Sequence, residues 1–255
     1  MPFGALLLIS LGLYLLATAL FFLRSVQHSA QRIAAWFACA FHLAGALAAL
    51  GTPDAFGIDS IATLNLALAY LVFGYMLSSV RTEVMVIASW LFPLAACASF
   101  FGLNSPVSQT HPIALGLLFH IVLSIFAFAM IALALVQALV VQYATSRLKQ
   151  GVSTTSIQFP PIQTLERMLF GTIRVGTLAL TFAILTGLWY LNTFFSTEMA
   201  PKSIMTLAAW LLFTVLLIGR YKLGWRGKLV TRLTLLGTTL LVLGFIGTRF
   251  LGSLI

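Results

Sequence analysis

The sequence predicts an all-α fold: a polytopic membrane bundle of eight transmembrane helices with both termini outside. Three observations carry that expectation. Of 255 residues, 61% are hydrophobic and only 7% are charged, with a mean hydropathy of +1.07. Soluble domains carry about 25% charged residues, and no soluble interior could hide this much apolar surface. The apolar residues fall into eight runs, each near the roughly 20 residues that cross a bilayer. The basic residues lie almost wholly on alternate connections between those runs, as the positive-inside rule requires.

The runs cover about 3–23, 31–51, 60–80, 84–101, 113–143, 169–195, 203–219 and 229–250. Together they form a single transmembrane domain over residues 1–255, without an internal repeat or low-complexity segment. The first run follows Met-Pro-Phe-Gly, which has no positive n-region, and no small-residue cleavage site comes after it. It therefore reads as a retained span and not as a signal peptide. The fourth contains Pro93, which predicts a kink. The fifth is the longest, and its last turns, Val140 to Leu148, are expected to project from the membrane. A polar linker, Gln150 to Ser156, and the pair Pro160-Pro161 follow. Apolar residues at 162, 165, 168 and 169 then recur at helical spacing. This predicts an amphipathic segment lying in the interface ahead of the sixth span.

Twelve of the fourteen Lys and Arg residues sit on the first, third, fifth and seventh connections. The other side holds only Lys202 and Arg249, together with three of the five acids, Asp54, Asp59 and Glu198. Alternate loops are thereby assigned to the cytoplasm of a bacterial inner membrane.

Several function classes fall away. The net charge of +9 is spread over short loops with no basic patch interleaved with aromatics, so the lipid bilayer is the expected partner and nucleic acid is not. Cys39 and Cys97 lie in separate apolar runs and form no CxxC pair. There is no phosphate-binding glycine loop, no HExxH and no nucleophile elbow. No acid lies deep in a span, as a proton relay would need. The expectation is a protein that is not an enzyme and has no dedicated metal centre. Glu166-Arg167, the most conspicuous charged pair, reads as an anchor at the inner interface.

The histidines carry more information. His28 lies in a cytoplasmic loop and His111 just ahead of Pro112. His42 and His120 lie inside spans two and five, where ionisable groups are costly and a functional role is a reasonable first hypothesis. Counting at 1.5 Å per residue puts each roughly 12–13 Å below the outer surface. Two imidazoles at one depth could supply the axial ligands of a haem. Equally, each could hydrogen-bond a neighbouring helix. Lys202 and Arg249, the outer cations, could meet the carboxylates of a bound tetrapyrrole. Trp189, Tyr190 and Phe194-Phe195 suit an outer aromatic belt or a surface for a flat ligand.

Four stretches carry a family resemblance: Phe41-His42-Leu43; Phe119-His120-Ile-Val-Leu-Ser-Ile-Phe-Ala-Phe-Ala; Pro161-Ile-Gln-Thr-Leu-Glu-Arg-Met-Leu-Phe; and Thr186-Gly187-Leu188 through Pro201-Lys202 and Trp210 to Gly224-Trp225-Arg226-Gly227. On these the chain resembles the cytochrome c assembly superfamily (CcsA and CcmC type), and within it the HemX/YpjD-like branch of inner membrane proteins. The resemblance implies haem binding or transport linked to cytochrome c biogenesis, with His120 as an external axial ligand and His42 as an intramembrane candidate. The partners it implies are cytochrome c assembly or haem-biosynthesis proteins. The chain departs from the pattern at two points. Residues 191–200 contain no tryptophan where the family has a tryptophan-rich segment, and no histidine stands near Ile218 where a second external one is expected. The alternative is therefore a HemX-like scaffold or regulator of haem biosynthesis that binds no haem and acts through residues 144–168 and 220–232.

Overall fold

The computed structural model describes residues 2–22, 28–52, 55–57, 59–79, 85–103, 112–150, 160–190 and 200–251. Among them are eight helices: α1 Pro2–Phe22, α2 His28–Ala49, α3 Ser60–Ser78, α4 Met85–Leu103, α5 Leu115–Lys149, α6 Ile162–Tyr190, α7 Ala200–Leu223 and α8 Lys228–Leu251. The fold is the all-helical membrane bundle that the hydropathy pattern predicts. Six of the helices (α1, α2, α3, α5, α6 and α7) are long and apolar enough to cross a membrane, and α4 contributes a shorter apolar stretch, Ile87–Leu103.

The helix ends follow local chemistry. Asp59 caps α3 from an extended backbone, its Oδ1 accepting the Ala62 N–H at 2.6 Å, the usual role of a short acidic side chain at this position. Pro161 caps α6, its carbonyl accepting the N–H groups of Thr164 and Leu165. From there α6 runs without a break to Tyr190. The expected amphipathic entry and the sixth span are one continuous helix. Leu165, Met168 and Leu169 are buried, and a helix that packs on this face from its first turn has no reason to bend away. α4 is helical through Pro93. One element had no sequence signal: Gly51–Thr52 pairs antiparallel with Ala55–Phe56.

The chain divides into two compact units, residues 1–118 and 119–255. In the first, α1 packs on α2 and α4, and α3 packs on the same two helices. The close approach of α1 and α2 depends on Gly45, where an added Cβ would stand 2.9 Å from the Leu7 side chain. Small residues at such crossings let backbones approach, the main source of helix affinity when the solvent is lipid. The buried face of α2 includes Ala35, Ala38, Cys39, His42 and Ala46, a helical stripe.

In the second unit, Gly176 of α6 admits Met130 and Ile131 of α5, and Gly237 of α8 admits the Phe213 ring of α7. Trp210 Nε1 donates to Thr181 Oγ1 at 2.8 Å, tying α7 to α6. The Thr231 hydroxyl donates to the Ala138 carbonyl, tying α8 to α5.

Candidate functional site

His42 and His120 fall in different units, and their surroundings differ in kind. His42 is fully buried. Its Nε2 pairs with Asn65 Oδ1 of α3 at 2.8 Å, and its Nδ1 lies 3.4 Å from the Tyr14 hydroxyl of α1. An amide oxygen can only accept, so Nε2 carries the ring proton and the Tyr14 O–H donates to Nδ1. The Tyr14 ring stands edge-on to the imidazole at 82° and stacks on Phe92 of α4. The Asn65 amide in turn packs against Gly102 of α4, where an added Cβ would meet its Nδ2 at 2.6 Å. All four helices of the first unit thus meet around one imidazole with both nitrogens occupied.

His120 sits near the start of α5 and is half-buried. Its Nδ1 lies 3.1 Å from Thr186 Oγ1 near the end of α6. The ring also interacts with the Ala183 carbonyl and feels the charge of Lys202, in the first turn of α7. Its Nε2 has no side-chain hydrogen-bond partner among the described residues. Three helices of the second unit therefore converge on this histidine, with a cation nearby and one ring nitrogen that meets no side chain among the described residues. Arg249 lies in α8, but its side chain is outside the described residues, as are those of His28, His111 and Glu198. Trp189 is 82% exposed and Tyr190 48%; Phe194 and Phe195 lie outside the described residues.

A second constellation lies at the opposite end of α6. Glu166 is buried and bonds Arg220 at 3.3 Å, with Arg226 at 3.8 Å. Arg220 also donates to the Trp225 carbonyl and stands 4.5 Å over the Phe170 ring. Glu166 thus reaches Arg220 and Arg226 at the α7–α8 turn, while its neighbour Arg167 lies on another face, because residues adjacent in a helix point to different faces. The turn itself is tight: Gly224 and Gly227 have φ of 67° and 62°, the left-handed region open mainly to glycine. Trp225 folds back over α7, its N–H donating to the Gly219 carbonyl and its indole lying where a Gly219 Cβ would be. Gly219→Ala is expected to displace the indole and lower stability by about 1–3 kcal/mol, the usual range for overpacking. Thermal unfolding of the detergent-solubilised protein measures the effect, and an unchanged midpoint would count against the packing described.

Sequence reading singled out His42 and His120 but missed Asn65, Tyr14, Thr186 and the Arg220–Glu166 pair. The signals were available. Asn65 and Thr186 lie close to the ends of their helices, near the depth counted for the histidines. Glu166 is the lone acid among the basic loop residues of the second unit's alternate connections. Among the described residues, no three His, Cys, Asp or Glu side chains converge as a metal site would need.

Taken together, the apolar helices and the polar groups buried between them define a multi-pass integral membrane protein. Residues 3–255 match the model of the cytochrome c assembly protein family, and the chain belongs to that family. Over 140 residues it is 34% identical to the inner membrane protein YpjD of Escherichia coli K12, a match covering 55% of this chain and 53% of that protein. It is 29% identical over 98 residues to the cytochrome c biogenesis protein CcsA of Prochlorococcus marinus, covering 38% of this chain and 31% of the relative. With CcsA of Synechococcus it shares 31% identity over 100 residues. The match thus spans about half the length of the first relative and about a third of the others. No solved structure matches the chain. The protein is a multi-pass protein of the inner membrane.

Proposed function

We propose that this protein binds haem, or a related tetrapyrrole, in the service of cytochrome c assembly, with His120 as the axial ligand supplied by the chain. One observation carries the reading: His120 is held through Nδ1 by Thr186 at a half-buried position, and among the described residues its Nε2 meets no side-chain partner. That donor set fits haem, whose iron accepts an imidazole nitrogen at its axial position. Lys202, close enough for its charge to reach His120, suits a propionate carboxylate. Arg249 is the second candidate for that role. The relatives named CcsA act in cytochrome c biogenesis by their names, which supports the same direction. We place both termini and the Lys202 end of the bundle on the outer side, following the distribution of basic residues.

His42 was the other candidate ligand. In this reading it serves as the hub of the first unit, since freeing either nitrogen would strand a buried partner. A second reading, a scaffold that binds no haem, is favoured by one feature: the α7–α8 turn, pinned by Glu166, Gly224 and Gly227, presents Tyr221 and the basic residues Lys222, Arg226 and Lys228 as an exposed surface.

The absorption spectrum of the purified protein decides between them. Wild type is expected to show a Soret band as isolated or after hemin addition, and His120→Ala is expected to lose it. A wild-type protein that remains colourless after hemin addition rejects the haem reading and leaves the scaffold.

A further inference from the structure

The contacts of Thr186 go further than holding a ring in place. Its Oγ1 lies 2.9 Å from the Phe182 carbonyl and 3.0 Å from the Ala183 carbonyl. Both are oxygens of its own helix, three and four residues back, and both can only accept. A hydroxyl has one proton and two lone pairs. If Thr186 gave its proton to His120, its oxygen would face two carbonyl oxygens at hydrogen-bond distance with nothing between them, in surroundings of low dielectric where such a clash is costly. The proton therefore goes to the carbonyls, the usual back-bonding of a helical threonine. The lone pair that remains can only accept from His120. The Ala183 carbonyl, an acceptor too, interacts with the same ring.

We infer that Thr186 is a positioning residue that fixes His120 as the Nδ1–H tautomer and so presents the Nε2 lone pair to an incoming ligand. The inference rests on the reading of His120 as a haem ligand, and it assigns the orientation of that ligand to a neutral hydroxyl on the neighbouring helix. A metal-binding histidine commonly donates its other N–H to an oxygen that sets its tautomer and direction. Here the oxygen belongs to a side chain whose own proton is already committed, so the acceptor role is not interchangeable with donation.

The test has two arms on the full-length protein in detergent. The first, without haem, uses histidine labelled with nitrogen-15, with the His120 signals identified by their loss in His120→Gln. The wild-type ring is expected to carry its proton on Nδ1. Thr186→Val, close in shape but without the acceptor, is expected to mix the tautomers, and Thr186→Ser to restore the wild-type pattern. The second arm titrates hemin. Thr186→Val should bind about 10- to 100-fold more weakly, the range for loss of such a supporting group, and Thr186→Ser should recover most of that loss. A wild-type ring protonated on Nε2 overturns the inference, as does a Thr186→Val protein with unchanged nitrogen shifts and hemin affinity. Failure of the wild type to take up hemin sinks the haem reading instead, and the first arm then still decides the tautomer.

Discussion

Glu166→Ala is expected to destabilise the second unit by about 3 kcal/mol, the lower end of the range for breaking a buried ion pair. The lower end applies because the Arg220 side chain is 26% exposed and the Glu166 side chain 11%, so water can partly solvate the charge left behind. The physical cost is the isolated guanidinium, more than the lost attraction. Arg220 would keep its Trp225 carbonyl and its place over Phe170 but would have no counter-charge. The same logic makes the double substitution informative. Glu166→Leu with Arg220→Leu removes both charges, and such replacements are often close to neutral. Unfolding by sodium dodecyl sulfate in mixed micelles measures all three proteins. A single variant within 0.5 kcal/mol of wild type would show that the pair contributes nothing, and a double variant as unstable as the single one would move the effect from charge to packing.

The scaffold of helices was legible because it rests on bulk quantities. Length, apolar content and the alternation of basic loops need no partner, and the bounds of α1 to α4, α7 and α8 fall within a few residues of the apolar runs. α6 shows where this stops. Its first turns carry Glu166 and Arg167, so the apolar run starts only at 169, while the helix starts at Ile162. A charged residue in a helix reads as solvated until its partner is known, and the partners here lie at 220 and 226. The site was half legible for the same reason. His42 and His120 stand out because the lipid makes them expensive, whichever role they play. Asn65, Tyr14 and Thr186 are ordinary residues on an apolar helix until they meet an imidazole. The two histidines look alike in sequence, with equal counted depth and a single ring each. What distinguishes them is the number of ring nitrogens already spoken for, which depends on which faces of three other helices turn inward.

That distinction yields the other large expected effect. His42→Ala should destabilise the first unit by about 3–5 kcal/mol. Truncation in a packed core opens a cavity, and here it also strands a buried amide oxygen and a hydroxyl, each costing about 1–3 kcal/mol when left unsatisfied. His42→Gln separates the structural role from a ligand role. Its amide can donate to Asn65 Oδ1 as Nε2–H does, so more than half of the lost stability should return. If His42 is the hub of α1 to α4, this variant leaves the haem spectrum of the protein unchanged, because the iron never met that ring. If His42 holds iron, the Soret band shifts or weakens in a variant that is otherwise well folded, since glutamine is a poor axial ligand. Detergent unfolding and absorption measured on the same samples separate the two cases. A buried histidine that binds iron must give up a hydrogen bond to do so, and the geometry around His42, with Asn65 at 2.8 Å on Nε2 and Tyr14 on Nδ1, makes that cost large.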